Sequence, residues 1–153
     1  MSDLRDLYQE VIIEHGRRPR HFHDLPNASH SAKGNNPLCG DSLVVYLRIE
    51  GNKISDVSFE GHGCAISMAS ASLMTETIIG KTIDDAETLF DVFHDAIVID
   101  KEPDVELGKL QVLMGVKEFP VRVKCATLAW HTLKNALENK TFVASTETDE
   151  DSI

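Results

Sequence analysis

Three cysteines, Cys39, Cys64 and Cys125, stand 25 and 61 residues apart in a chain of 153. Each sits in a short stretch suited to presenting a thiolate: Asn36-Pro37-Leu38-Cys39-Gly40-Asp41, Gly61-His62-Gly63-Cys64-Ala65 and Phe119-Pro120-Val121-Arg122-Val123-Lys124-Cys125-Ala126. Only a fold that brings distant segments to one place can use them together. If they meet, Asp41 supplies a fourth ligand. Three sulfurs and a carboxylate match tetrahedral Zn²⁺ in ligand type and number. Cys64 and Cys125 are each expected to open a helix, where the partial positive charge of the N-terminus favours thiolate over thiol. Cys125 also follows the Ala129, Leu133, Leu137 face in steps of four, so it is expected to point inward. Cys39 differs, because Pro37 and Gly40 place it in a loop whose backbone has room to move.

Composition narrows the remaining possibilities. A chain of this length buries roughly 68–70% of its unfolded surface, so its core does not require a metal or disulfide. The net charge of −10 argues against a general nucleic-acid binder and against docking on anionic membranes. No apolar run approaches the ~18 residues of a membrane span. Met1-Ser2-Asp3-Leu4-Arg5-Asp6 lacks the basic and apolar regions of a secretion signal. An odd number of cysteines fits reducing cytosol better than a disulfide framework. The expectation is one cytoplasmic domain over residues 1–142, followed by an acidic, disordered tail over 143–153 with Glu147, Asp149, Glu150 and Asp151.

Periodicity then places the cysteine stretches. Leu4, Leu7, Tyr8, Val11 and Ile12 predict a helix over 3–15, with Gly16 as a left-handed stop. Residues 17–40 read as a long polar loop holding the chain's one basic patch, Arg17, Arg18 and Arg20. Ser42 to Ile49 and Ile54 to Phe59 read as two strands joined at Gly51-Asn52. Ala65 to Ile79 reads as a small-sided helix ended by Gly80. Thr82-Ile83-Asp84-Asp85 resembles a capping box before a helix whose buried stripe is Ala86, Leu89, Phe90 and Phe93. A solvated connector over 98–106, a short helix from Leu107 to Gly115 and a last helix from Val123 to Leu137 complete the chain.

Other chemistry is absent or weak. There is no phosphate-binding loop, no nucleophile elbow around the serines at 67–72, and no His-x-Glu with Pro-Cys-x-x-Cys of a zinc deaminase. His62 is a candidate ligand or proton carrier, though a surface histidine is the commoner case. His15, His21, His23 and His30 are expected in solvent, and His94 and His131 partly exposed on helices. Arg122 and Lys124 are placed to offset the charge of the cysteine site.

The three stretches, together with Phe59-Glu60-Gly61-His62-Gly63-Cys64-Ala65-Ile66-Ser67 and Arg122 through Trp130, resemble the iron–sulfur cluster assembly proteins of the IscU/SufU type. The likeness runs from about Leu4 to Asn139. It implies an α+β fold: a small antiparallel β-sheet of about three strands packed by about five helices. The scaffold branch of that family carries histidine before the third cysteine, where this chain has Lys124. That departure, with the long stretch between the second and third cysteines, makes the chain similar to the SufU branch. The resemblance implies zinc held by Cys39, Asp41, Cys64 and Cys125. It also implies a SufS-type cysteine desulfurase as partner and transfer of persulfide sulfur to a downstream scaffold or acceptor. Cys39 is the expected sulfur carrier, with Cys125 the second candidate. The alternatives are an IscU-like scaffold holding iron or a [2Fe–2S] cluster on the same ligands, and a purely structural zinc domain.

Overall fold

In the computed structural model, residues 2–37, 40–138 and 144–145 are described. Cys39 and most of the acidic tail therefore lie outside the described residues. Helix α1 spans Ser2–Arg17, strands β1, β2 and β3 span His30–Asn36, Asp41–Glu50 and Lys53–His62, and helices α2 and α3 span Ala65–Ile78 and Ile83–Val98. A 3₁₀ segment, Gly108–Glu118, precedes α4, Pro120–Leu137, and a two-residue strand β4, Ala144–Ser145. The sheet order is β3-β2-β1-β4. Three strands pair antiparallel as expected, and β4 adds to β1 in parallel.

The sheet is half-buried, and its sequence shows why. Leu43, Val45 and Leu47 alternate inward on β2 and are fully buried. Val57 and Phe59 do so on β3, where a register shift lies beside Arg48 and Ile49. Helix α4 lies across β1 and β2, while α2 packs between α4, β3 and α1. Trp130 of α4 and Phe93 of α3 are both fully buried and stack with ring centroids 4.9 Å apart. The small side chains of α2 allow this close approach: Ser70 Oγ donates to the Ala126 carbonyl at 2.6 Å, tying α2 to α4. Thr82 caps α3, its hydroxyl accepting from the Asp85 N–H at 3.1 Å.

Four expectations change. Residues 30–36 form β1 rather than loop: Ala32, Gly34 and Asn36 turn inward with the alternation of a strand, although none is a strong β-former. Gly34 is demanded by packing, since a Cβ there would meet Thr132 Oγ1 of α4 at 2.0 Å. Gly16 does not stop α1 but lies within it, against the Ala65 backbone. The segment after the connector is 3₁₀ and runs on to Glu118. Finally, α4 begins at Pro120, not Val123. Pro suits the first turn, where its missing N–H costs no hydrogen bond. Cys125 therefore sits beyond the first turn and gains little from the helix dipole, which fades within that turn. Among the described residues, no helix is long and apolar enough to cross a membrane.

Candidate metal centre

Strand register gathers the cysteine stretches at one end of the sheet. Asn36, the last residue of β1, pairs with Asp41, the first of β2, and Ser42 pairs with His62 at the end of β3. The chain then turns through Gly63 into Cys64, the N-cap of α2. Helix α4 brings Cys125 to the same place from the neighbouring layer. One ligand atom from each of Asp41, Cys64 and Cys125 lies within 4.8 Å of the others. Among the described residues this is the one such group of three or more His, Cys, Asp or Glu side chains. Neither Cys64 nor Cys125 is in a disulfide.

Each group is held before any ion arrives. Asp41 is 1% exposed, and its Oδ1 accepts the Cys64 backbone N–H at 2.9 Å. Gly63 makes room for it: a Cβ there would stand 2.6 Å from that oxygen. Gly61 takes φ +140° with its backbone close to the Ser42 carbonyl, 2.1 Å from where a Cβ would be. Cys64 Sγ accepts the Ser67 N–H at 3.4 Å, the capping role usually taken by a hydroxyl. Cys125 is fully buried, and its Sγ accepts from Asn36 Nδ2 at 3.8 Å. Its expected inward direction is borne out.

The donor set fits zinc. Ligands about 2.3 Å from a tetrahedral ion lie ~3.8 Å from one another, compatible with this cluster. Asp41 Oδ2 is buried with no hydrogen-bond partner, and a cation would pair it, since an unpaired buried carboxylate oxygen is costly. Two sulfurs and a carboxylate are a mixed donor set of the kind zinc accepts. The hydrogen bond with Cys125, aided by the Ser67 and Ile66 N–H groups, lowers the Cys64 pKa to about 6, against burial and the Asp41 charge. A thiol of that acidity is ready to coordinate near neutral pH.

The histidines divide. His62 is exposed, and it does not join the cluster. His94 and His131 are half-buried and pack on Phe90. His15 corrects the expectation of a solvated ring: it is 3% exposed, with Nδ1 2.7 Å from Ser72 Oγ. His21 is half-buried at φ 57°, its ring 2.9 Å from Thr75 Oγ1. The basic patch is partly neutralised, because Arg20 pairs with Glu14 and Glu76 and Arg18 with Glu14. Arg122 is exposed and Lys124 half-buried near the start of α4. Asn36 was not anticipated as part of the site. Its inward place at the end of β1, next to the first cysteine stretch, was the available signal.

The chain is similar over most of its length to proteins of iron–sulfur cluster assembly. The NifU-like N-terminal domain family matches residues 7–141. The zinc-dependent sulfurtransferase SufU of Bacillus subtilis (strain 168) is 42% identical over 138 residues, covering 89% of this chain and 92% of that protein. The iron–sulfur cluster assembly scaffold protein IscU of Streptococcus pyogenes serotype M1 is 40% identical over 139 residues, covering 90% and 87%. A crystal structure from Fervidobacterium islandicum AW-1, described as an iron–sulfur cluster assembly scaffold for the SUF system, superposes with a TM-score of 0.80 at 40% identity, covering 84% of this chain and 94% of that one. With its fold and nearly its whole length matched, the chain belongs to the NifU-like N-terminal domain family of iron–sulfur cluster assembly proteins.

Proposed function

We propose that the chain is a zinc-containing sulfur acceptor in iron–sulfur cluster biogenesis, taking persulfide sulfur from a SufS-type cysteine desulfurase and stimulating that enzyme. The observation that carries this reading is the convergence of Asp41, Cys64 and Cys125 within 4.8 Å, with a carboxylate oxygen left unpartnered among them. In this reading Cys39, carried between β1 and β2, completes the ligand set. Bound zinc keeps its sulfur ligands deprotonated.

The transfer itself is thiol chemistry. The Cys39 thiolate attacks the outer sulfur of the desulfurase's cysteine persulfide. A new S–S bond forms at Cys39, the old one breaks, and its electron pair leaves on the desulfurase cysteine. No oxidant or reductant is consumed. The persulfide then passes to a downstream scaffold or acceptor. Lys124, in place of the histidine that the scaffold branch carries, supports relay over cluster building.

A second reading has its own support. A relative named as a scaffold matches this chain about as well as the named sulfurtransferase does. The same donors can hold a [2Fe–2S] cluster. Metal analysis of the purified protein, paired with desulfurase assays with and without it, separates the two. About one zinc per chain with strong stimulation is the result expected for the acceptor. A thiolate-to-iron chromophore with release of cluster to an apo-protein would replace it with the scaffold. Full stimulation by folded Cys39→Ala protein would reduce the zinc to a structural role.

A further inference from the structure

Asn36 connects the two halves of the centre. Its backbone ends β1 and pairs with Asp41, the first residue of β2. Its side chain is 0% exposed and reaches α4, where Nδ2 donates to Cys125 Sγ. Its Oδ1 is buried with no partner. A leucine of similar size would avoid that unpaired oxygen, so stability alone does not account for an amide here. The orientation of the amide follows from charge. Its oxygen would repel a thiolate, whereas its N–H groups attract one.

We infer that Asn36 is a positioning residue that anchors the Cys125 sulfur and withholds it from reaction. The biological meaning of this rests on the sulfur-acceptor reading. A hydrogen bond to a thiolate stabilises the localised charge that is spent when sulfur attacks, so it slows attack. Cys64 receives the same restraint from the Ser67 backbone N–H. For Cys125 the restraint comes from a side chain, which can be exchanged.

Zinc-loaded protein is treated with iodoacetamide, and modification of each cysteine is followed by peptide mass spectrometry. Wild type should be modified at Cys39 first and Cys125 last. In Asn36→Leu the Cys125 rate should rise about tenfold or more, with Cys39 changed by less than about twofold. Asn36→Asp keeps the shape, replaces the donor with a like charge, and should act in the same direction. Near-UV circular dichroism and zinc content establish that each variant is folded. Acceleration of Cys125 by less than about twofold, or equal acceleration of both cysteines, overturns the inference. Failure of both variants to fold or hold zinc also overturns it, making Asn36 a structural residue. A separate single turnover with desulfurase tests the acceptor reading. If wild type gains no persulfide, that reading fails, while the alkylation pattern still decides the role of Asn36.

Discussion

Replacing Gly63 with alanine probes how tightly the centre is built. Gly63 does not adopt a left-handed φ, so its backbone accepts a side chain. The obstacle is Asp41: an added Cβ would lie 2.6 Å from Oδ1, 3.0 Å from Cγ and 3.2 Å from Cβ. Reaching ordinary contact at 3.4 Å moves the carboxylate oxygen by about 0.8 Å. Asp41 is 1% exposed, so the shift must be taken up inside the site. The Cys64 N–H···Oδ1 bond, now 2.9 Å, would be lost or badly stretched. A hydrogen bond to a charged group contributes about 1.5–3 kcal/mol, so the metal-free protein should lose ~2 kcal/mol, or roughly 4–8 °C in Tm for a domain of this size. A ligand displaced beyond the ~0.2 Å tolerance of metal sites should also weaken zinc binding roughly 10–100-fold. Chelator competition measures the affinity and thermal unfolding the stability. Gly115→Ala is the control, because a Cβ there meets nothing within 4 Å; it should be neutral or gain up to ~1 kcal/mol. Zinc affinity within about twofold of wild type in Gly63→Ala, with an unchanged Tm, would refute the packing argument.

Other outcomes follow from the same structure. Gly34→Ala drives a methyl into Thr132 Oγ1 and should cost about 1–3 kcal/mol or more in urea unfolding; adding Thr132→Ala should restore most of it, and no recovery would disprove the clash. Phe93→Ala removes the ring stacked on Trp130 and should cost about 3–5 kcal/mol; a loss below ~1 kcal/mol would contradict the core assignment. Burial, then the Arg20 charge, lowers the His15 pKa from 6.5. The native state thus binds fewer protons than the unfolded chain, so this stabilisation is complete above pH 6.5 and is lost as pH falls from there through the lower folded value. Metal-free protein should weaken on acidification below 6.5, and His15→Gln should flatten that limb; an unchanged slope counts against the buried-histidine account.

Much of this was legible in residue spacing, and the exceptions have physical causes. The strand pair β2–β3 announces itself through Leu43, Val45 and Leu47, and Thr82 announces α3 through its cap. Strand β1 is obscured because its inward positions are Ala32, Gly34 and Asn36, small or polar residues chosen by the approach of α4 rather than by β propensity. His15 follows Val11 and Ile12 at helical spacing, so its burial was readable from the stripe; residue type misled, since histidine is more often at the surface. The site was legible as a set of ligand types. Its assembly was not, because the meeting of Asp41, Cys64 and Cys125 depends on strand register and on where α4 crosses the sheet. The early start of α4 at Pro120 likewise moved Cys125 out of the first helical turn, so its restraint comes from Asn36 rather than the helix dipole.

The most direct test of the account locates the transferred sulfur. Zinc-loaded protein is mixed with desulfurase and cysteine for a single turnover, trapped by alkylation, and mapped by mass spectrometry. A persulfide on Cys39 is expected, with Cys64 and Cys125 unmodified and zinc retained by the protein. Persulfide on Cys125 alone, or none on any cysteine despite full zinc loading, would contradict it.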